Sequence, residues 1–309
     1  MSQPIHHFTV DVEEYYQVSA LEPYISRGGW RDMKSRVKVG MNKVLELLAR
    51  EKTHGTFFVL GCVAEEHPDL IRELARQGHE VASHGWDHRR VTQLDPAAFR
   101  RQVRESREIL EDLTGTRVHG FRAPSFSIVP GFEWALEILV EEGYRYDSSL
   151  YPVRRRGYGY PTGARTISVV ETPSGPLVEV PPATLRVLGQ NLPLGGGGSL
   201  RHLPLSWTRA ALRSLQRQGE PGTVYLHPWE LDPAQPRVSG IGWLTRLRHY
   251  GGLARTEGRL RRLLREFDFQ PIQRSLAGWQ GPGPGLPLDP GDARTHEHGG
   301  GRRDGGGAP

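Results

Sequence analysis

The sequence predicts an α/β fold on a mainly parallel sheet, and three observations carry that expectation. Short apolar runs rich in β-branched and aromatic residues alternate with segments of helical period through most of the 309 residues. The helical segments are punctuated by proline near their starts and glycine just past their ends. The polar residues most able to do chemistry fall where the apolar runs stop, and in both barrels and open sheets of this class ligands gather at the carboxyl ends of the strands.

Seven strands are expected, at residues 5–10 (IHHFTV), 56–60 (TFFVL), 79–83 (HEVAS), 117–121 (RVHGF), 144–147 (YRYD), 177–180 (LVEV) and 223–227 (TVYLH). Between them, Met41, Val44, Leu45 and Leu48 form one helical stripe. Leu70, Ile71, Leu74 and Ala75 form a second, with Pro68 near its start and Gly78 past its end. A third helix opens on Asp95 and Pro96, runs through Phe99, Val103, Leu110 and Leu113, and stops at Gly115. A fourth spans about 131–142, before Gly143. Seven such units can close into a barrel or lie as an open sheet, and periodicity alone does not choose. Residues 148–222 read as long turn-rich loops over the strand ends, with "YPVRRRGYGYPTG", "ETPSGP" and "NLPLGGGGSL" as their main stretches.

Residues 1–275 are expected to form one folded region. From 276 to 309 the chain, "LAGWQGPGPGLPLDPGDARTHEHGGGRRDGGGAP", has little to bury and reads as a disordered Gly/Pro-rich tail. The net charge of +5 is spread along the chain, so nucleic acid is not an expected partner. The densest basic run, "LARTEGRLRRLLREF", carries Leu260, Leu263, Leu264 and Phe267 at helical spacing, and its arginines read as the solvated face of a packed helix. The single cysteine, Cys62, excludes an intrachain disulfide and reads as a core thiol. With no basic-then-apolar leader and no apolar run near 18 residues, a cytoplasmic protein without a transmembrane segment is expected.

Strand one ends "TVDVEEYY", bringing Asp11, Glu13 and Glu14 together; like charges this close call for a cation, though an exposed acidic turn reads the same way. Strand three ends before His84 and His88, an H-x-x-x-H pair that with a carboxylate from a neighbouring strand end would make a His₂Glu or His₂Asp set with a position open for water. Zinc lowers the pKa of such a water to roughly 7, and a second carboxylate beside it can take the proton. Strand four ends at Arg122, able to orient a carboxylate or to make an ordinary salt bridge. Asp147 ends strand five, as a turn residue or as a partner for Arg122. His227 ends strand seven, where a histidine can protonate a leaving amine.

Taken in order, "TVDVEE", "SHGWDH", "FRAPS", "YDSS" and "YLHPWE" resemble the five motifs of the polysaccharide deacetylase family, the NodB-homology esterases that remove N-acetyl groups from amino sugars. "VYLHPWELDPAQPRV" and "RHYGGLARTEGRLRRLLREFDF" are similar to the subgroup found with exopolysaccharide and exosortase (PEP-CTERM) loci, with a subgroup extension starting near residue 148. The resemblance covers residues 5–272 and implies a distorted (β/α)7 barrel and a hydrolase acting on an N-acetylated glycan, in contact with exopolysaccharide assembly machinery. It implies Asp11 as catalytic base, His84 and His88 as metal ligands, Arg122 as the residue orienting the base, His227 as general acid, and Asp147 in the catalytic set. The implied cofactor is one divalent ion, Zn²⁺ foremost, with Co²⁺ or Ni²⁺ as substitutes. The first motif departs from the family's paired aspartates. Strand alternation puts Asp11 and Glu13 on one side, favouring Glu13 as the metal carboxylate with Glu14 as the alternative. Ser125 replaces a common aromatic, and Tyr225 a common aliphatic whose place Leu226 or Trp229 would take. Two other readings share these residues: a deacetylase-fold amidase acting on a small cyclic ureide or imide, and a catalytically silent glycan binder. The facial set of non-haem iron oxygenases is disfavoured because those strands belong to a jelly roll.

Overall fold

The computed structural model describes residues 4–155 and 157–277. Its strands are β1 (His6–Val12), β2 (Thr56–Val59), β3 (Glu80–Ser83), β4 (Gly120–Phe121), β5 (Tyr146–Asp147), β6 (Ser168–Thr172), β7 (Gly175–Glu179), β8 (Thr184–Val187), β9 (Gln190–Pro193), β10 (Thr223–Leu226) and β11 (Phe269–Gln270). The main sheet runs β10-β1-β2-β3-β4-β5-β7-β6, with β11 beside the start of β1. The first seven strands in that order are mutually parallel. They are the seven expected from sequence, although β4 and β5 are only two residues long. Beyond β7 the chain curls back, Pro182 and Gly196 bridging Thr223 and Tyr225 of β10 in parallel. The result is the distorted barrel.

The helices that clothe it follow the apolar stripes: α1 (Val37–Arg50), α2 (Gly61–Glu66), α3 (Pro68–Arg76), α4 (Pro96–Thr114) and α5 (Trp134–Glu141). In α4, Asp95 accepts the Ala98 N–H at 2.8 Å and Gly115 closes the far end in the left-handed region at φ 68°, as its punctuation required. Cys62 packs against the core as a partly buried free thiol.

Residues 148–222 are more regular than the loops expected. β6 and β7 form an antiparallel hairpin across Pro173 and Ser174, and β8 pairs with β9. α6 (Gly197–His202) and α7 (Leu205–Arg217) follow, then α8 (Trp243–Tyr250) and α9 (Leu253–Glu266). The stripe that buries α7 is Thr208, Ala211, Leu212 and Leu215. Its spacing is helical, but half its members are weakly apolar, so the pattern is diluted in the sequence.

The barrel is plugged at the end where the strands begin. α10 (Ile272–Ala277) sets Ile272 and Leu276 among Phe58, Ala82, Tyr146, Val178 and Val180. Its first amides donate to Thr56 Oγ1 at 2.8 Å and to Glu80 Oε2 at 2.9 Å. With this end stoppered, the strand carboxyl ends form the open mouth. The helix carries the described chain to Ala277, and the rest of the expected tail lies outside the described residues. Among the described residues no helix is long and apolar enough to cross a membrane.

Candidate active site

Four strand ends deliver the chemistry to this mouth. β1 supplies Asp11 and, just past its end, Glu13; β3 leads into His84 and His88; β4 leads into Arg122; β10 leads into His227. Except for His227, whose side chain keeps 21% of its accessibility, these groups are buried.

Glu13, His84 and His88 each offer one ligand atom, and the three lie within 4.8 Å of one another. Glu13 Oε2 stands 2.7 Å from His88 Nε2, while Trp229 Nε1–H donates to Glu13 Oε1 at 3.2 Å. His84 Nδ1 lies 2.7 Å from the Arg122 carbonyl oxygen, so it is the protonated nitrogen and Nε2 is left with a free lone pair. Burial lowers the His84 pKa to about 4, keeping the ring neutral as a ligand must be. For Glu13, burial opposes ionisation, but His88 and His227 outweigh it and hold the carboxyl down at about 2. Two imidazoles and an ionised, buried carboxylate with an otherwise unpartnered oxygen fit a divalent ion of the zinc class. His88 adopts a left-handed backbone, φ 56°, and so do Ser125 and Phe126 at 55° and 52°; strain of this kind in non-glycine residues gathers at functional sites.

Glu14, the alternative carboxylate, points elsewhere. It accepts hydrogen bonds from Ser35 Oγ and from the Arg36 and Val37 amides, capping the start of α1.

Asp11 Oδ1 accepts from Arg122 Nη1 at 2.7 Å. The same guanidinium donates to Thr9 Oγ1 at 2.8 Å, to Ser148 Oγ at 2.9 Å and to the Ser148 carbonyl at 3.3 Å, and lies 4.0 Å over the Phe58 ring. Fully buried and held on every side, Arg122 fixes one oxygen of Asp11 and leaves the other toward His227, whose Nε2 is 3.9 Å from Asp11 Oδ2 and 3.6 Å from Glu13 Oε1. Of the two readings of Asp147, a turn residue and a partner for Arg122, the second is not formed. β4 and β5 pair Phe121 with Asp147, so by strand alternation Asp147 and Arg122 lie on opposite faces. Asp147 accepts instead from the Ser149 amide and hydroxyl, and burial raises the pKa of both Asp147 and Glu179 of β7.

Three residues that the motifs did not single out complete the site. Glu230 Oε2 accepts the His227 backbone N–H at 2.9 Å and stands 3.1 Å from its Nδ1. Arg201 of α6 donates to Glu230 Oε1 at 2.7 Å in a buried ion pair. Gly197 makes the room: a methyl on it would stand 1.9 Å from Glu230 Oε2. Burial lowers the His227 pKa, but Glu13, Glu230 and Asp11 outweigh it and raise it to about 9, so the ring stands protonated. Of the two candidates for a wall, Trp229 borders the site, stacked at 5.2 Å on His227, whereas Leu226 is buried in the main core on the other face of β10. The Tyr225 ring lies 6.0 Å from that of His227 and packs against Phe126 and Tyr151.

Residues 32–143 match the family model of the polysaccharide deacetylases, and residues 148–277 match that of a domain of unknown function, DUF3473. The chitooligosaccharide deacetylase of Rhizobium leguminosarum bv. trifolii is 40% identical over 68 residues, 22% of this chain and 32% of that protein. A peptidoglycan-N-acetylglucosamine deacetylase of Bacillus cereus is 30% identical over 96 residues, 31% of this chain and 35% of that protein. The matches thus span about a third of these relatives' own length. Among solved structures, one from Mycobacterium smegmatis assigned to the polysaccharide deacetylases shares the fold with a TM-score of 0.55 at 20% identity, over 87% of this chain and 88% of the other. The PuuE allantoinase shares it with a TM-score of 0.53 at 19% identity, over 84% and 82%.

Proposed function

We propose that the chain, whose residues 32–143 match the polysaccharide deacetylase family model, is a metal-dependent N-deacetylase of N-acetylhexosamine units in a poly- or oligosaccharide. The observation that carries the reading is the convergence of a positioned base, a ligand set and a protonated acid at one strand-end mouth: Asp11 held by Arg122, Glu13 with His84 and His88, and His227 within 4 Å of both carboxylates. Glu13, His84 and His88 would hold the ion. When bound, a divalent ion there supplies Lewis-acid polarisation and a lowered pKa for water.

The chain's own residues carry the proton transfers. Asp11, its Oδ1 pinned by Arg122, takes the proton of a water through Oδ2 as the water oxygen bonds to the acetamide carbonyl carbon. The Ser125 N–H serves as oxyanion donor, since the Ala123 amide is taken by Ser149 Oγ, the Phe126 amide by the Ala123 carbonyl, and Pro124 has none. The C–N bond then breaks with its electron pair on nitrogen, and His227 Nε2–H supplies the proton that makes it a neutral amine. The other hydrogen of the water departs with the acyl group, so acetic acid leaves and ionises to acetate in solvent beside the free amino sugar, and the proton on Asp11 returns to His227. Glu230 holds the His227 ring and favours its charged form. The likeness of the last motif to the exopolysaccharide-linked subgroup supports placing the substrate in exopolysaccharide biosynthesis.

Acetate release from chitooligosaccharides and from N-acetylated exopolysaccharide, with metal-stripped and Zn²⁺- or Co²⁺-reloaded protein, tests the reading. Asp11→Ala and His227→Ala are each expected to lower kcat by about 10²–10⁴-fold with metal content unchanged. Metal lost from either variant, or release of ammonia or acid from a cyclic ureide but no acetate from any glycan, would overturn it.

A further inference from the structure

Helix α8 has two faces with different destinations. Its buried end is tied to the active site: His249 stacks at 4.4 Å on Trp229, whose indole N–H donates to Glu13, and the Tyr250 hydroxyl takes the Val238 amide at 2.9 Å. Its other face is apolar and open. Trp243 is 76% exposed, Leu244 62% and Leu247 57%, three of the largest apolar exposures in the described chain. At spacings i, i+1 and i+4 they share one side of the helix. A single exposed leucine needs no explanation, but a tryptophan and two leucines in one patch do.

The charges around the patch say what could cover it. From Pro233 to Thr256 the chain has arginines at 237, 246, 248 and 255 and no aspartate or glutamate. All four are exposed, and Arg246 and Arg248 flank the apolar side chains on the helix itself. A second copy of the chain is a poor match, since a two-fold contact through this face would bring the same arginines together. An apolar face opened by tryptophan and edged by arginine is what an interfacial helix presents to lipid: the indole seats at the headgroup level, the leucines enter the acyl boundary, and the cations meet anionic headgroups. Eight residues make a helix about 12 Å long, suited to lying on a bilayer and far too short to span one.

The geometry points to α8 as an interfacial helix that docks the rim of the active site on an anionic lipid surface through Trp243, Leu244 and Leu247, with Arg246 and Arg248 as its charge contacts. Through His249 and Trp229 the docked helix is continuous with the wall of the site, so docking holds the site close to the membrane surface.

Vesicle flotation of the full metal-loaded chain tests this, on phosphatidylcholine with and without phosphatidylglycerol. Binding is expected to require phosphatidylglycerol and to weaken on going from about 0.1 M to about 1 M salt, where the screening length falls from about 10 Å to about 3 Å. Arg246→Gln with Arg248→Gln should weaken it about 25-fold, about fivefold per arginine. Trp243→Ser with Leu247→Ser should weaken it more than about tenfold, since each buried methylene contributes about fourfold. Unchanged thermal melting of both variants shows an intact fold. Equal flotation on neutral and anionic vesicles, no flotation on either, or variants that bind like the parent would overturn the inference. So would a dimer in sedimentation velocity that Trp243→Ser with Leu247→Ser splits while lipid binding is absent, since the patch would then be a self-interface.

Discussion

Gly197→Ala tests the part of the site that lies farthest from the reacting atoms. Gly197 is the first residue of α6 and its backbone is not left-handed, so alanine meets no conformational penalty there and only space is at issue. That space is already taken: the new methyl would stand 1.9 Å from Glu230 Oε2 and 2.5 Å from Cδ, where ordinary contact is about 3.5 Å. The carboxylate must retreat by more than about 1 Å. Its bonds to the His227 amide at 2.9 Å and to Arg201 at 2.7 Å cannot both survive such a movement. A displacement of about 1 Å in a supporting group lowers rate by about 10²-fold, so kcat for acetate release should fall by about that much while KM stays within about threefold. Disrupting the buried Glu230–Arg201 pair should also remove about 3–5 kcal/mol of stability. A thermal melt reads that change, and metal content should stay at the parental level because none of the three ligands is touched. Glu230→Ala removes the carboxylate that the methyl strikes, so adding Gly197→Ala to it should have little further effect on either kcat or melting. Strongly non-additive losses are therefore expected. Parental kcat in Gly197→Ala, or fully additive losses in the double variant, would show that Glu230 does not hold His227 in its working position.

Glu13→Gln should abolish tight metal binding, whereas Glu14→Gln should keep the metal and lower stability by about 1–2 kcal/mol as the cap on α1 weakens; metal analysis of the two purified variants separates them. Glu179 has its pKa raised well above its ordinary value near 4.5, by burial and by Asp147, so the folded chain keeps a proton that the unfolded chain releases. Stability from this group is present below about pH 4.5 and is lost as pH rises through the folded value, by up to about 1.4 kcal/mol per pH unit. Glu179→Gln should flatten that decline in chemical denaturation between acid and neutral pH, and an unchanged slope would contradict the raised Glu179 pKa.

Much of the site was legible because each of its principal residues ends an apolar strand. Asp11, His84, Arg122 and His227 belong to four different strands, and a parallel sheet brings their carboxyl ends to one mouth whatever the intervening loops do. The placement of Glu13, rather than Glu14, beside His84 and His88 was also legible, from alternation along β1. The support for His227 was not. Arg201 lies 29 residues before Glu230, inside a glycine-rich stretch whose composition reads as a turn, and nothing in that composition says that the missing side chains make room for a carboxylate. One local signal did exist, since Glu230 stands three residues after His227 with Pro228 between them, the spacing of a capping box.

The sheet register separates the two readings open for Asp147, a turn residue and a partner for Arg122. Between Asp147 and Ser148, charge alone favours the aspartate as the mate of a buried guanidinium. The parallel pairing of β4 with β5, however, sets Phe121 opposite Asp147, and every following position alternates faces. Arg122 must then share its face with Ser148, and the structure has Arg122 Nη2 donating to the Ser148 hydroxyl at 2.9 Å. The consequence is electrostatic. With a neutral hydroxyl there and Asp147 turned away, Asp11 is the one carboxylate in ion-pair contact with the Arg122 guanidinium among the described residues. A second carboxylate on Arg122 would divide its charge and weaken its hold on the base. A serine in that place leaves the whole of that charge to the group on which proton removal from water depends.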